Sequence, residues 1–511
     1  MNEAPKDDLT DGSLLAAVDL GSNSFHLLIA RIEHGEIRPT QALSEKVQLA
    51  AGLSEDRRLS REAIERGLDC LRRFAQLLKS VEPERLRVVG TSALRRARNR
   101  REFTEQARQI LAAPIEVIYG REEARLVYLG VAHTLADDEQ ARLVVDIGGG
   151  STEFAIGERF EPRQLESLKV GCVTYSREFF PGGKLSKRNY RRAYDSARVE
   201  ISHIRRDFRS KHWVEAVGSS GTLQAIEGIL GAQDWTDGPI TRKGLQRMRR
   251  EMLRYDRLED IELSGLSAAR RSVIAAGVAI TEAIFEVLDI DTMRSSRGAL
   301  REGVVYDLVG RLEHEDVRER SIRALMQRYH VDEPAAERLA RRAQTFFDAV
   351  RDRWDLEARD GELLQRAALT HEIGKAISHK HFHRHGSYLL SNSDLAGFSQ
   401  QDQEDMATIV AGQQGKLRSE QFPEASDDSL PRLQRLTALL RLAVSFKYVE
   451  ELEELPDLSI AATEKGLQIH LPKEWLQRHP LTKQELKQQR AALRPLGLRL
   501  EVGLSRSSPK D

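Results

Sequence analysis

The sequence predicts an α/β fold of two similar lobes, followed by a helical domain and a small α/β domain. Strand-like and helix-like segments alternate along the chain as far as about Arg311, which is typical of layered α/β folds. A strand–turn–strand motif ending in Asp-apolar-Gly occurs twice in this region, at Asp19 and at Asp146. Beyond Arg311, segments rich in Arg, Gln, Glu and Leu with helical spacing dominate. We therefore expect two lobes that face one cleft, and a separate helical part.

These changes of pattern predict five segments. Residues 1–13 are a polar, flexible N-terminus, residues 14–127 form the first lobe and residues 128–310 form the second lobe. Residues 311–445 form the helical domain, and residues 446–511 form the small C-terminal α/β domain.

Apolar spacing predicts the individual elements. Apolar residues recur every three or four positions, as on one face of a helix, over 61–79, 321–329, 335–353 and 363–370. Short apolar or alternating runs predict strands over 14–19, 25–32, 86–89, 115–119, 142–147, 153–156 and 214–217, and in the last domain over 458–471 and 498–502.

The composition excludes several classes of protein. The 511 residues include 79 Lys and Arg and 79 Asp and Glu, so the formal net charge is zero and no global field favours nucleic acid or a membrane. Aromatic residues make up only 6%, which argues against a nucleic-acid interface. Two cysteines, Cys70 and Cys172, cannot form a disulfide framework, and both are interpreted as structural.

The expected location is the cytoplasm. The N-terminus has no basic, apolar or cleavage region of a signal peptide. No apolar run approaches the roughly 18 residues that a transmembrane segment needs. Peripheral association with a membrane through a partner stays open.

Glycine-containing turns carry the candidate chemistry. Their residues are Gly21, Ser22, Asn23 and Ser24; Gly148, Gly149, Gly150 and Ser151; and Gly218, Ser220, Gly221 and Thr222. Backbone N–H groups in such turns converge on phosphate oxygens, and the adjoining Asp19 and Asp146 are hard oxygen ligands suited to Mg²⁺. One turn alone is equally well an ordinary tight turn, but the set of three predicts a phosphate-binding cleft.

The motifs resemble those of the exopolyphosphatase/guanosine-pentaphosphate phosphatase family of the actin-like ATPase superfamily. The segments that carry the resemblance are 17–26, 90–95, 120–125, 145–153, 218–222 and 298–303. The resemblance extends over almost the whole chain. It implies two actin-like (ribonuclease H-like) lobes, an all-α domain of the HD-like type and a homodimer. It also implies Mg²⁺-dependent hydrolysis of a terminal phosphoanhydride by water.

Carried over to this sequence, the resemblance assigns roles to individual residues. Glu123 is the general base, with the adjacent Glu122 as the alternative register, and Arg95 neutralises charge on the phosphoryl group. Asp146 and Glu153 hold Mg²⁺ or its waters, and Asp19 faces them from the other lobe. The chain departs from the family pattern at one position, since Arg297 stands before Gly298 where an acidic residue is usual.

Two clusters of basic residues can each be interpreted in two ways. Leu94–Arg101 contains five arginines, which form a solvated helix face or guide a polyanion towards the cleft. The histidines His371, His379, His381, His383 and His385 form a transition-metal site or a basic surface for substrate or dimer contacts.

The main hypothesis is an Mg²⁺-dependent exopolyphosphatase that releases orthophosphate processively from inorganic polyphosphate. The close alternative is a guanosine pentaphosphate (pppGpp) 5′-phosphatase that uses the same residues. A kinase or ATPase of the same superfamily, and a non-catalytic sensor of polyphosphate or of an alarmone, are the alternatives from other classes. Nucleic acid is not an expected partner.

Overall fold

The fold was analysed in a computed structural model, which describes residues 9–34, 36–135, 140–312, 316–417, 422, 429–450, 455–456, 458–463 and 466–505. Part of the N-terminus that the sequence marks as flexible, residues 1–8, lies outside the described residues. The chain divides into two compact units, Met1–Val317 and Arg318–Asp511.

The first unit contains two mixed sheets. The strands of the first sheet are β1 (Leu14–Leu20), β2 (Ser24–Glu33), β3 (Glu36–Lys46), β4 (Leu86–Gly90) and β5 (Ile115–Val117). Those of the second are β6 (Arg142–Ile147), β7 (Thr152–Glu158), β8 (Glu161–Leu168), β9 (Glu215–Ser219), β10 (Ile240–Thr241) and β11 (Thr292–Ser295).

The two sheets share one topology. The first has the order β3-β2-β1-β4-β5 and the second has the order β8-β7-β6-β9-β11, with β10 added at the edge. In each sheet the first strand pairs antiparallel with the second and parallel with the fourth. The duplicated lobes expected from the sequence are therefore confirmed.

Helices cover the faces of these sheets. In the first lobe they are α1 (Arg61–Leu77), α2 (Ser92–Arg96), α3 (Arg100–Leu111) and α4 (Gly120–Ala132). In the second they are α5 (Cys172–Phe179), α6 (Lys187–Ser202), α7 (Arg205–Phe208), α8 (Ser220–Ala232), α9 (Arg242–Met252), α10 (Arg271–Val287) and α11 (Leu300–Leu312).

Helices α4 and α11 pack backbone against backbone where the two lobes meet. A Cβ atom on Gly303 would lie 1.8 Å from the Leu126 carbonyl oxygen, and one on Gly130 would lie 2.1 Å from the Ala299 carbonyl oxygen. Glycine is therefore required at both positions. This contact fixes α4, which carries Glu122 and Glu123, against α11.

A buried network of charges joins the same two helices to the first sheet. Asp307 on α11 accepts hydrogen bonds from Arg87 and Arg125 at 2.5 Å each and from Arg311 at 3.0 Å. Arg125 also donates two bonds of 2.8 Å to Glu122. Burial alone would raise the pKa of Asp307, but the three guanidinium groups hold it well below its usual range.

The second unit is mainly helical and has its own hydrophobic core. Its helices are α12 (Val317–Arg328), α13 (Glu333–Trp354), α14 (Ala358–Leu369), α15 (Phe382–Asn392), α16 (Gln400–Gly412), α17 (Ser429–Ser445), α18 (Lys447–Glu450), α19 (Lys473–Arg478) and α20 (Pro480–Leu493). A small sheet contains β12 (Ser459–Thr463), β13 (Gly466–Pro472) and β14 (Arg499–Ser505). The helical part and the small α/β part are as expected, whereas the HD-like character stays a prediction.

None of the helices in the described residues is long and apolar enough to cross a membrane.

The Asp307 network should contribute strongly to stability. Asp307→Ala leaves Arg87, Arg125 and Arg311 without their shared carboxylate, and we expect urea unfolding of the first unit to show a loss of about 3–5 kcal/mol. Asp195→Ala, which removes only exposed ion pairs with Arg191 and Arg198, should cost at most about 1 kcal/mol. Equal losses in the two variants would contradict this account.

Candidate active site

The three glycine turns meet at one cleft between the two lobes of the first unit. The cleft encloses about 350 Å³ and is lined by residues of all three turns. Of the predicted phosphate-binding residues, only Gly218 is not at the surface of the cleft. It lies in β9, where a Cβ atom would lie 2.8 Å from Leu223 Cδ1, so its place is in the packing beneath the third turn.

The turns of the two lobes touch each other. A Cβ atom on Gly150 would lie 2.6 Å from Ser92 Oγ, and one on Gly149 would lie 3.1 Å from Ser22 Cβ. The second turn is closed by a 2.9 Å hydrogen bond from the Gly148 N–H to the Ser151 carbonyl oxygen. Glycine is needed here because the backbones of both lobes approach the same space.

The third turn has a strained backbone at the start of a helix. Ser220 has a φ of 90°, a left-handed conformation that is rare for residues with a side chain and is often found at functional sites. Ser220 begins α8, and Ser220, Gly221 and Thr222 line the cleft, so the N-terminus of this helix is a suitable place for an anion. Gly221 leaves room for Arg270, since a Cβ atom there would lie 1.8 Å from Arg270 Nη2.

Four carboxylates from four elements converge on the cleft. Asp19 ends β1 and Asp146 ends β6, while Glu153 on β7 is the register partner of Asp146. Asp19, Asp146 and Glu123 line the cleft, and Glu153 lies behind it, where it accepts a 2.9 Å hydrogen bond from Ser167 Oγ.

Burial raises the pKa of every member of this cluster, and neighbouring carboxylates add to the rise for Asp19, Asp146 and Glu153. Burial raises the pKa of Asp146 to about 6, and Glu123 adds to that rise. Burial, followed by the charges of Glu123 and Asp146, holds the pKa of Asp19 and of Glu153 well above the usual range. The cluster is therefore unfavourable when it is fully ionised and empty, and it favours a bound cation.

Glu123 and Arg95 form an ion pair at the edge of the cleft. Arg95 Nη1 donates to Glu123 Oε2 at 3.0 Å and to the Ile118 carbonyl oxygen at 2.8 Å. Burial raises the pKa of Glu123, and Arg95 opposes part of that rise. Of the two candidate bases in the sequence, Glu123 faces the cleft, whereas Glu122 is held by Arg125 in the buried network.

The side chains of the cleft can be compared with the ligands that Mg²⁺, the cation implied by the family resemblance, prefers. Asp19 Oδ1 is buried and has no hydrogen-bond partner, and Asp19, Asp146 and Glu153 offer carboxylate oxygens, the ligands that Mg²⁺ prefers. Over the described ranges, no three or more His, Cys, Asp or Glu side chains are grouped so that they could hold a metal ion. A cation beside Asp19 would therefore need waters or substrate oxygens among its ligands.

Three of the cleft residues that were not predicted from the sequence are basic: His26, Arg270 and Arg301. Arg297 also lines the cleft. His26 Nδ1 is buried without a partner, and burial, Arg301 and Arg270 lower the pKa of His26 to about 4. His26 and Arg301 belong to the motifs at 17–26 and 298–303 and could have been considered from the sequence, whereas Arg270 lies outside every motif and gives no such signal.

The histidines of the second unit do not assemble into a metal site. His371 and His383 are buried, His379 and His381 are exposed, and His385 is half-buried. Glu372 is held by Lys375 at 2.5 Å and by Lys447 at 2.6 Å. Within the described part of the second unit, too, no three potential metal ligands come together, so the metal interpretation gains no support.

Glu153 provides a test of the carboxylate cluster. A carboxyl group with a raised folded-state pKa gives stability that is present at low pH and is lost as the pH rises through that pKa. In EDTA at about pH 8, Glu153→Gln should therefore be more stable than the wild type by about 1–2 kcal/mol. At about pH 4 the difference should vanish, because the carboxyl group is then protonated.

Thermal unfolding at the two pH values measures this effect. Glu166→Gln is the control. Glu166 lies on β8, the strand next to β7, and forms an ion pair of 2.9 Å with Arg121, so this variant should show no stabilisation. A Glu153→Gln protein that is less stable than the wild type at both pH values would contradict the account of the cluster.

Comparisons with known proteins show the family to which the chain belongs. The model of the Ppx/GppA phosphatase family matches residues 28–312, and that of Ppx/GppA phosphatase domain III matches residues 317–490. A protein of Photobacterium profundum named guanosine-5′-triphosphate,3′-diphosphate pyrophosphatase is 40% identical over 476 residues, which are 93% of this chain and 95% of that protein.

Part of the chain is also similar to solved structures. The crystal structure of the Aquifex aeolicus member of the Ppx/GppA family is 27% identical, with a TM-score of 0.50, over 60% of this chain and 99% of that one. An exopolyphosphatase from Cytophaga hutchinsonii, 22% identical with a TM-score of 0.54 over 59% of this chain and 98% of that one, shows the fold alone. The chain therefore belongs to the Ppx/GppA phosphatase family, with actin-like lobes, and is a hydrolase that acts on phosphoanhydride bonds.

Proposed function

We propose that the protein is a divalent-cation-dependent exopolyphosphatase that releases orthophosphate from the end of inorganic polyphosphate. The observation that carries the proposal is the lining of the cleft. Three glycine turns and a set of hydroxyl groups surround the carboxylates, and Arg270, Arg297 and Arg301 lie among them. Such a lining suits a row of phosphoryl groups, because N–H, O–H and guanidinium groups all donate to phosphate oxygens.

The same lining gives little support for a base-specific site. Among the described residues that line the cleft there is no Phe, Tyr or Trp, and proteins commonly hold an unpaired base by stacking it on such rings. A polyphosphate chain needs no stacking surface. This difference favours polyphosphate over a nucleotide as the main substrate.

In the proposed mechanism, the turns bind the terminal phosphoryl group. The N–H groups of the turns at Gly21, Gly148 and Gly221 hold its oxygens and orient the scissile bond towards Glu123. Arg95 stabilises the charge that develops on the phosphoryl group, and positioning and charge neutralisation are the main needs of phosphoryl transfer. Arg95 also holds the Glu123 carboxylate in one orientation.

Glu123 is the proposed general base. Its carboxylate accepts the proton of a water that attacks the terminal phosphorus in line with the leaving chain. Its raised pKa suits this role, since a base is most effective when its pKa is near the working pH. The bond to the bridging oxygen breaks, and orthophosphate and a chain shorter by one phosphate leave.

Asp146, Glu153 and Asp19 are the residues that would hold the divalent cation or its waters. Such a cation would neutralise charge on the phosphoryl oxygens when bound. Asp146 and Glu153 present their carboxylates from neighbouring strands of one sheet, while Asp19 does so from the other lobe. A cation held this way relieves the repulsion that raises their pKa values.

The second candidate is hydrolysis of guanosine pentaphosphate to release its 5′-terminal phosphate. It is favoured by the name of the Photobacterium profundum relative, which is similar along nearly the whole of both chains. The same turns, base and arginine would serve both substrates. The homodimer implied by the family resemblance is likewise kept as a prediction.

Phosphate release from long-chain polyphosphate and from guanosine pentaphosphate should be measured side by side, with Mg²⁺ and with EDTA. We expect kcat/KM to be at least about tenfold higher for polyphosphate, a difference of only about 1.4 kcal/mol in transition-state binding, and EDTA to abolish both activities. A preference for the nucleotide would establish the second candidate instead. Full activity in EDTA would contradict the role of the carboxylate cluster.

A further inference from the structure

We propose that Arg57, Arg96 and Arg177 form a second phosphate subsite that holds phosphoryl groups of a long polyphosphate beyond the one in the cleft. We call these three residues the arginine cluster. The proposal deepens the function proposed above and rests on it. The ligand chemistry is a condensed phosphate, and its source is the distal part of the substrate chain.

Hydrogen bonds bring together the three chain segments that carry these arginines. Arg177 on α5 donates to the Leu53 carbonyl oxygen at 3.3 Å, which places its guanidinium on the loop that contains Arg57. The Arg98 N–H donates to the Arg57 carbonyl oxygen at 2.8 Å. The same loop therefore lies against α5 of one lobe and against the residues that directly follow Arg96 in the other.

The cluster adjoins the cleft on both sides. In the first lobe, the Ala50 N–H donates to the Ser22 carbonyl oxygen at 2.9 Å, so the segment that leads into the loop rests on the first glycine turn. In the second lobe, α5 begins at Cys172, which lines the cleft. Ser92 also lines the cleft and precedes Arg96 by about one helical turn of about 5–6 Å.

The three charges are not neutralised within the protein. None of the three forms an ion pair with a described carboxylate, although Arg58 on the same loop pairs with Glu102 at 3.0 Å. Arg57 and Arg177 are exposed and Arg96 is half-buried, so a ligand can reach them from solvent. The exposed Glu55, Asp56 and Glu178 nearby make no ion pair with them. Like charges held together without a counterion are unfavourable in free energy unless an anion binds.

Two further observations agree with an anion site. Partial burial, followed by the charges of Arg177 and Arg57, lowers the pKa of Arg96, as expected for neighbouring cations. Arg57 has a φ of 59°, a left-handed conformation that is unfavourable for arginine and that fixes the loop beside Arg98. Guanidinium groups bind phosphate through two parallel hydrogen bonds, which makes arginine the suitable residue here.

The test is equilibrium binding to the full-length protein that carries Glu123→Gln, which is expected to bind the chain without turnover. Arg96→Gln and Arg177→Gln, each added to that background, should raise the Kd for long-chain polyphosphate about tenfold. This is the change expected when one charge-assisted hydrogen bond is lost. The Kd for tripolyphosphate should change less than about threefold. Arg58→Gln is the matched control and should change neither, because Arg58 is already paired with Glu102.

The other outcomes overturn the proposal in distinguishable ways. If long polyphosphate binds equally well with and without the substitutions, the subsite is wrong and the proposed function stands. If long polyphosphate does not bind even with the cluster intact, both the proposed function and the second subsite are wrong. If the substitutions weaken guanosine pentaphosphate but neither GTP nor polyphosphate, the cluster takes a 3′-diphosphate and not the chain. Thermal unfolding identifies any loss that is due to misfolding.

Discussion

The repulsion among the buried carboxylates of the cleft is the constraint on which the rest of the first unit depends. Asp19, Glu123, Asp146 and Glu153 come from β1, α4, β6 and β7, and burial raises the pKa of each. Isolated elements would not hold these groups together. Two sheets of the same topology place the aspartates at equivalent strand ends, and the backbone contact of α4 with α11 fixes Glu123 beside them.

Groups of charged residues occur in two forms in this protein, with and without partners of opposite charge, and the two forms have different roles. In the network around Asp307, each arginine has a carboxylate partner within the protein, and such a network stabilises the fold. In the cleft, carboxylates raise one another's pKa, and at the arginine cluster the charges of Arg177 and Arg57 help to lower the pKa of Arg96. Like charges gathered without internal partners indicate that the compensating charge comes from outside, as a cation in one place and as phosphate in the other.

The sequence predicts the repeated parts of the site better than the parts that depend on tertiary contacts. The two Asp-apolar-Gly turns are local patterns, so Asp19 and Asp146 could be found without the structure. Strands β3 and β8 were missed because both are partly exposed edge strands of polar composition, which removes the apolar alternation. Arg270 reaches the cleft only because Gly221 has no side chain, and no local pattern reveals such a contact. Glu122 and Glu123 differ by one helical step, so only packing shows which of them faces the cleft.

The central claim is that the Glu123 carboxylate in this cleft carries the hydrolysis, and single-turnover phosphate release by Glu123→Gln and Glu122→Gln tests it most directly. The account predicts that Glu123→Gln binds polyphosphate but releases phosphate about 10²–10⁴ times more slowly, the range usual for loss of a general base. Glu122→Gln should lose stability and keep its rate within about threefold, because Glu122 is held in the buried network. Wild-type rates with Glu123→Gln, or a loss of rate confined to Glu122→Gln, would contradict it.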